Sequence, residues 1–139
     1  RIYGFDTGFI CYTKGRTELR AEDLGFMWEH CVLNELHAHL QHRSINYWRD
    51  KRGYEIDFVI PDRKSQTLVA IECKFQSTTK DLVSTDIGKN FEVFRQLYPE
   101  GHNFVVAHTI DVPFSRQYKG LTITFVNTQT LIKKLRGMQ

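Results

Sequence analysis

Two neighbouring segments near the middle of the chain alternate apolar and polar residues with the two-residue period of a β-strand. Residues 55–60 read EIDFVI, residues 68–75 read LVAIECKF, and turn-forming residues such as Pro61 and Asp62 lie between them. This alternation around a turn predicts a β-hairpin. A slip of one residue would bury the charged side chains, so the pattern supports folding about the midpoint. The apolar residues then share one face, with Ile60 opposite Val69, Phe58 opposite Ile71 and Ile56 opposite Cys73.

The other face of the predicted hairpin carries three acids and a lysine. Folding about the midpoint places Asp57 opposite Glu72 and Glu55 opposite Lys74. A solvated face with cross-strand ion pairs, worth roughly 0.2 to 1 kcal/mol each, accounts for Glu55 with Lys74. Asp57 and Glu72 repel each other and require a positive charge between them. A divalent cation is one candidate, since Mg²⁺ takes one or two carboxylates plus water and phosphate oxygens; an arginine from elsewhere is the other.

The composition indicates one globular domain. A chain of 139 residues can bury a core, and its 41% hydrophobic and 25% charged residues are ordinary for a soluble protein. No apolar run is long enough to cross a bilayer, and the start lacks a signal-peptide pattern. Three widely spaced cysteines favour reduced thiols and a cytoplasmic setting. The chain opens on Arg1, which suggests a fragment of a larger protein, and its net charge of +3 permits a nucleic-acid partner without requiring one.

A further acid is predicted to point inward from a helix. Between residues 22 and 40 apolar residues recur at helical spacing, and Glu29 lies within their stripe, which consists of Gly25, Phe26, Val32, Leu33, Leu36 and Leu40. A carboxylate on a core face is costly unless it is paired or bound to a metal. Glu29 is therefore either a cation ligand or a partly exposed acid that pairs with an arginine or with backbone donors.

The remaining segments complete an α/β (α+β) pattern with the order α-β-β-β-α-β-β-α. An aromatic strand at residues 45–50 precedes the hairpin, which predicts three consecutive antiparallel strands. A helix, two strands and a last helix are predicted at residues 86–98, 104–108, 121–126 and 128–135. The inner stripe of the helix at 86–98 is expected to hold Ile87, Phe91, Phe94 and Leu97 or Tyr98. Residues 1–20 are predicted to form a short extended segment and a loop.

Basic residues flank the aromatic strand. These basic residues are Arg43, Arg49, Lys51 and Arg52, and they lie next to Tyr47 and Trp48. One hypothesis is that they contact phosphates while the aromatic rings stack on bases. The alternative is that they form a solvated turn. Arg49 shares strand parity with Tyr47, so we expect it to lean over the acidic face.

The order of these residues resembles the PD-(D/E)XK nuclease superfamily, which has the restriction-endonuclease-like fold. The resemblance consists of an acid on a first helix (Glu29), an Asp on a second strand (Asp57) and Glu-x-Lys on a third strand (residues 72–74). More narrowly, the chain is similar to the C-terminal domain of a bacterial and archaeal family of AAA+-type ATPases. That similarity covers nearly the whole chain through YGFDTG at 3–8, WE at 28–29, NEL at 34–36, YWR at 47–49, EIDFVI at 55–60 and IECK at 71–74.

The resemblance implies a fold, a cofactor and a partner. The fold is a restriction-endonuclease-like core over residues 1–139, a mixed central sheet flanked by helices, attached to an ATPase module of the same full-length chain. The cofactor is Mg²⁺ or Mn²⁺, and the partner is DNA. Asp57 and Glu72 would be metal ligands, and Glu29 a further ligand, directly or through water. Lys74 would orient or activate the attacking water and stabilise negative charge.

Three other residues are expected to be accessory to this site. Glu55 and Arg49 are placed near it by the predicted strands, and Gln76 shares the strand parity of Lys74. Ile56 occupies the position of the superfamily's proline, a replacement that removes no functional group.

Two functions follow from this reasoning. The first is a metal-dependent DNA endonuclease, because cations and a nearby lysine supply the charge stabilisation and the acidified water that phosphodiester hydrolysis needs. The alternative is a non-catalytic module that binds DNA or protein and regulates the ATPase, since a fold does not fix a function. A purely structural oligomerisation domain does not explain Glu29 on an apolar stripe.

Overall fold

The computed structural model describes residues 7–13, 15, 21–40, 44–75, 82 and 85–138. Over these residues the elements are α1 (Thr7–Thr13), α2 (Ala21–Leu40), β1 (Asn46–Arg49), β2 (Glu55–Asp62), β3 (Thr67–Cys73), α3 (Thr85–Leu97), β4 (Asn103–Val106), β5 (Phe114–Tyr118), β6 (Leu121–Val126) and α4 (Thr128–Arg136). None of these helices has the length and apolar character needed to cross a membrane.

The strands form one mixed sheet with the order β1-β2-β3-β4-β6-β5. β2 pairs antiparallel with both β1 and β3, β3 and β4 run parallel, β4 and β6 run parallel, and β5 returns antiparallel at the far edge. A parallel neighbour requires a crossover, and α3 provides it between β3 and β4. The three consecutive antiparallel strands that the sequence predicts are confirmed.

Helices cover both faces of this sheet. On one face, α2 and α4 pack apolar side chains such as Leu36 and Leu131 against Phe58 and Ile71. On the other face, α3 packs Phe91 against Val105 and its neighbours. The predicted class, an α+β fold with a mixed central sheet flanked by helices, is therefore confirmed.

The predicted register of the central hairpin is confirmed from Phe58 to Asp62, whereas the predicted pairs of Ile56 with Cys73, Asp57 with Glu72 and Glu55 with Lys74 lie beyond these paired residues. Pairing between β2 and β3 includes Phe58 with Ile71 and Ile60 with Val69, as the alternation predicts. The prediction that only one face is apolar is wrong, because Ala70 is buried with the residues under α3. The hairpin is an interior part of the sheet, so both of its faces contribute to a core.

A β-bulge interrupts β2 where it pairs with β1. Two successive pairs join the strands, Asn46 with Val59 and Trp48 with Ile56. Between these pairs β1 has one residue, whereas β2 has two, Asp57 and Phe58. The extra residue shifts the side-chain alternation. Ile56 therefore packs in the core under α3, whereas Phe58 and Cys73 pack in the core under α2 and α4. The prediction that Ile56 shares a face with Phe58 and Cys73 is wrong for this reason.

Two short elements differ from the sequence prediction. Thr7–Thr13 forms a helix where an extended segment is predicted, and Phe114–Tyr118 forms an edge strand that is not predicted. The edge strand FSRQY has apolar residues only at its two ends, and the seven residues of α1 give barely two helical turns, so neither element shows a hydrophobic period. At the end of α3, Leu97 and Tyr98 are 62% and 41% exposed, so the inner stripe of that helix ends at Phe94 and not at either of them.

A buried arginine ties α3 to the start of the parallel strands. Arg95 is 5% exposed. Its guanidinium donates to the side chain of Asn103 at 2.8 Å and to the carbonyl oxygens of Tyr98, Glu100, Leu68 and His102 at 3.2, 2.6, 2.9 and 2.8 Å. Burial lowers the pKa of Arg95 to about 10, so the group stays protonated at neutral pH. One cation thus satisfies several loop carbonyls.

Candidate functional site

Two buried carboxylates lie near the C-terminal end of β3. Glu72 on β3 is 1% exposed, and Asp57 on the bulge of β2 is 4% exposed. The Nζ of Lys74 lies 3.4 Å from Oε2 of Glu72, and the side-chain amide of Asn90 on α3 donates to Oε1 of Glu72 at 3.3 Å. Their burial rules out a solvated face for the two acids, one of the alternatives that the sequence leaves open.

The bulge directs Asp57 towards β3. The paired residues of β2 and β3 run from Phe58 with Ile71 to Asp62 with Thr67. Beyond the Phe58–Ile71 pair, the backbone N–H of Cys73 donates to Oδ2 of Asp57 at 2.8 Å. Bulges are common beside active sites, where they re-aim a side chain. Here the bulge carries a carboxylate to the end of the neighbouring strand.

The electrostatics of the pair follow from its burial. Burial and the charge of Asp57 raise the pKa of Glu72 from its usual 4.5 to about 8, against the opposing effects of Lys74 and Asn90. Burial acts to lower the pKa of Lys74, but Glu72 and Asp57 outweigh it, so that the pKa is raised and the ammonium stays charged. The two carboxylates thus have Lys74 as their shared neighbouring cation, and ionising the second carboxylate costs free energy.

A divalent cation fits this shortage of positive charge. Two carboxylates match the number that Mg²⁺ usually takes, its other ligands being water and phosphate oxygens. A complete three-residue ligand set is not preformed: within the part of the chain that the structure describes, no three His, Cys, Asp or Glu side chains are grouped to hold a metal. Asp57 and Glu72 would therefore hold the ion, and metal binding stays a prediction.

Glu29 approaches the same strand from α2. Its side chain is partly buried. The pKa of Cys73 is raised well above its usual value, mainly by burial and then by the charges of Asp57 and Glu29. The adjacent Trp28 anchors this part of α2 to the sheet by donating from Nε1 to the carbonyl of Val106 at 3.1 Å. Glu29 is thus near the end of β3 without forming a three-acid cluster, and its role as a ligand stays a prediction.

The accessory candidates fall into different places. Arg49 is exposed on β1 and lies directly opposite the partly buried Glu55 of β2. Gln76 lies outside the described residues. Among the basic residues that flank the aromatic strand, Arg52 forms an ion pair with Asp50 at 2.8 Å within its own turn. This is what the solvated-turn alternative predicts for Arg52.

Two features of the site are missed by sequence reasoning. Asn90 contacts Glu72 from α3, and its only signal in the sequence is a polar residue beside the apolar stripe of that helix. A cavity of about 500 Å³ opens beside Asp57, and its described lining consists of Leu33, His37, Ile45, Asn46, Tyr47, Asp57 and Phe58. The lining comes from α2, β1, β2 and the segment before β1, so no local pattern indicates it.

Comparison with known proteins adds a family and a fold. Residues 24–127 match a family described as a domain of unknown function, DUF4143. No curated protein matches the chain. A solved structure of a half-complex from a tetradecameric assembly of Thermococcus gammatolerans McrB AAA+ hexamers with bound McrC contains a similar chain, with a TM-score of 0.55 and 12% identity. The match covers 84% of this chain and 33% of that one. At this identity the similarity is one of fold.

Proposed function

Because this chain belongs to the DUF4143 family, whose function its description leaves open, we propose a function from the site itself: a Mg²⁺- or Mn²⁺-dependent nuclease domain that hydrolyses DNA. One observation carries the proposal. Asp57 and Glu72 are both buried and interact electrostatically, with Lys74 as the neighbouring cation. Structural stability alone gives no reason to bury two acids together, because each loses hydration and each repels the other.

The chain's own residues have distinct tasks in this proposal. Asp57 and Glu72 would hold the ion, which when bound would neutralise phosphate charge and make a water molecule more acidic. Asn90 and the N–H of Cys73 fix the two carboxylates, since each donates a hydrogen bond to one of them. Lys74 adds a preformed positive charge at the same place, which would stabilise negative charge developing on the scissile phosphate. Glu29 would act as a further ligand, directly or through water.

Association with an AAA+-type ATPase is part of the proposal. It is supported by the sequence motifs that resemble the C-terminal domain of such a family. It is also supported by the similarity in fold to a chain in an assembly of McrB AAA+ hexamers with bound McrC. The chain spans about a third of the length of that similar chain.

A cleavage assay tests the proposal. Labelled single-stranded, duplex and branched DNA would be incubated with the purified protein in Mg²⁺, Mn²⁺ or a chelator. Cleavage is expected with metal and is expected to be lost in Asp57→Asn, Glu72→Gln and Lys74→Met. Glu92→Gln is the matched control, because Glu92 pairs with Lys119 at 2.9 Å outside the site. Full activity in all three site variants would contradict the proposal.

A non-catalytic module is the second candidate, and one observation favours it. The described residues contain no preformed group of three metal-binding side chains. In this alternative the domain binds DNA or a protein partner and regulates the ATPase. DNA binding that is independent of metal and unchanged in Glu72→Gln, with no cleavage of any substrate, would support this second function over the first.

A further inference from the structure

The cavity beside Asp57 has a composition that fits one class of ligand. Its apolar walls come from Leu33, Ile45 and Phe58, and its polar groups come from His37, Asn46, Tyr47 and Asp57. Apolar walls beside hydrogen-bonding groups suit a flat ligand with apolar faces and polar edges.

Tyr47 provides an exposed aromatic surface at this cavity. It is 52% exposed and lies on edge strand β1, between the two positions that pair with β2 on either side of the bulge. Its neighbour Trp48 contributes instead to the opposite face, where its ring centroid lies 5.4 Å from that of Phe94. The same bulge therefore places an acid of the candidate site and an exposed ring side by side. In proteins that bind single strands, exposed aromatic rings are the surfaces on which unpaired bases stack.

We propose that this cavity binds an unpaired nucleobase stacked on Tyr47, with Asn46 and His37 available to its polar edge. This inference rests on the proposed nuclease function and specifies its substrate class. A base within a duplex is already stacked and paired, so it must leave the helix to enter a pocket. The preferred substrate is therefore DNA with unpaired nucleotides next to the cleaved bond.

The charge outside the cavity supports this orientation of the substrate. Arg49 is exposed and shares a face of β1 with Tyr47, two residues away. A cation there suits the phosphates that flank the bound nucleotide. The attached phosphate would then lie towards the acidic pair, since Asp57 belongs to both the cavity and that pair.

A binding measurement tests the cavity separately from catalysis. The purified protein would carry Glu72→Gln to block cleavage, and fluorescence anisotropy would compare a single-stranded oligonucleotide with a blunt duplex of the same sequence. Added to this background, Tyr47→Ala is expected to weaken single-strand binding by about 5- to 150-fold, the range for loss of one stacked base. Duplex binding is expected to stay within about twofold. Tyr47→Phe keeps the ring and is expected to bind like the parent.

Tyr12→Ala is the matched control. Tyr12 is 80% exposed on α1 and is not among the described residues that line the cavity. It tests whether any exposed ring gives the same effect. Equal weakening by Tyr12→Ala, equal weakening by Tyr47→Phe, or equal loss for duplex and single strand would overturn the proposal, as would a parent that does not prefer single strands. Since binding is measured in a cleavage-blocked variant, absence of hydrolysis in the assay above is a different result from failure of the cavity proposal.

Discussion

Oδ2 of Asp57 accepts a 2.8 Å hydrogen bond from the backbone N–H of Cys73, so a bulged residue of β2 satisfies a donor at the end of β3. The carboxylate is 4% exposed, and its charge raises the pKa of Glu72. Asp57 therefore acts in two separable ways. Its oxygen accepts a hydrogen bond that stabilises the strand end, and its negative charge opposes the ionisation of Glu72.

The first prediction separates these two properties of Asp57. Asp57→Ala removes the acceptor and leaves a buried N–H unsatisfied, which is expected to cost about 1–3 kcal/mol of unfolding free energy. Asp57→Asn keeps an oxygen for Cys73 and removes the charge, so it is expected to cost less than Asp57→Ala. Denaturant unfolding of both variants at pH 8 measures this difference. Equal losses would mean that the hydrogen bond contributes nothing.

The second prediction concerns the pH dependence of stability. The folded state raises the pKa of Glu72 from 4.5 to about 8, so folding favours the protonated acid. This contribution is complete below pH 4.5 and is lost as the pH rises to about 8. Glu72→Gln removes the titration. Its unfolding free energy is expected to rise relative to wild type between pH 5 and pH 8.5, by on the order of a few kcal/mol.

Thermal or denaturant unfolding across this pH range provides the measurement for Glu72→Gln. Glu92→Gln serves as the control, because Glu92 forms a surface pair with Lys119 and is expected to change stability by less than about 1 kcal/mol at any pH. A constant difference between Glu72→Gln and wild type would show that Glu72 does not titrate with a raised pKa.

The third prediction concerns metal affinity. A metal ligand must be deprotonated, so Mg²⁺ or Mn²⁺ competes with the proton on Glu72. Affinity is expected to increase with pH up to about 8 and to level off above it. Calorimetry in two buffers of different ionisation enthalpy is expected to detect proton release at pH 7 and none at pH 9. Binding that is unchanged by pH would place the ion on other residues.

The fourth prediction assigns Lys74 a catalytic charge. Its pKa is raised because Glu72 and Asp57 outweigh the effect of burial, so it remains charged throughout the neutral range. Lys74→Met is expected to reduce DNA cleavage by about 10²-fold or more, in line with loss of a preorganised electrostatic group, while metal binding persists. Lys74→Arg keeps the charge and is expected to retain part of the activity. Loss of metal binding in Lys74→Met would instead indicate a structural role.

The hairpin and its charged residues could be predicted because their pattern is local. Alternation of apolar and polar residues sets both the strands and their register, and Phe58 does lie opposite Ile71. The spacing of Glu72 and Lys74 puts them on one side of a strand, where they form an ion pair. Helical spacing likewise identifies Leu36 among the buried residues of α2.

The bulge and the contacts between elements could not be predicted in this way. The bulge at Asp57 depends on how β2 pairs with β1, and strand periodicity contains no information about that pairing. Asn90 reaches Glu72 only because α3 covers the second face of the sheet. That same covering buries Glu72, and the large rise in its pKa is a tertiary effect of burial and of the charge of Asp57.

The last prediction concerns Arg95, whose fork of donors holds the chain around β3 and β4. Among the carbonyls that it satisfies are those of Leu68 and His102 at 2.9 and 2.8 Å, and it also bonds the side chain of Asn103. Arg95→Met would fill part of the space but leave these acceptors unsatisfied, so a loss of about 2–4 kcal/mol in unfolding free energy is expected. Arg95→Lys is expected to recover little of it, since one ammonium group cannot reproduce the planar fork.

Denaturant unfolding of the two Arg95 variants at pH 7 tests this expectation, with Arg63→Lys at an exposed turn as the control. The control is expected to change stability by less than about 0.5 kcal/mol. Full stability in Arg95→Lys would mean that charge alone suffices and that the individual hydrogen bonds of the guanidinium are dispensable. A loss in both Arg95 variants that leaves metal binding unchanged after refolding would place Arg95 in the framework of the sheet, apart from the acidic site at the other end of β3.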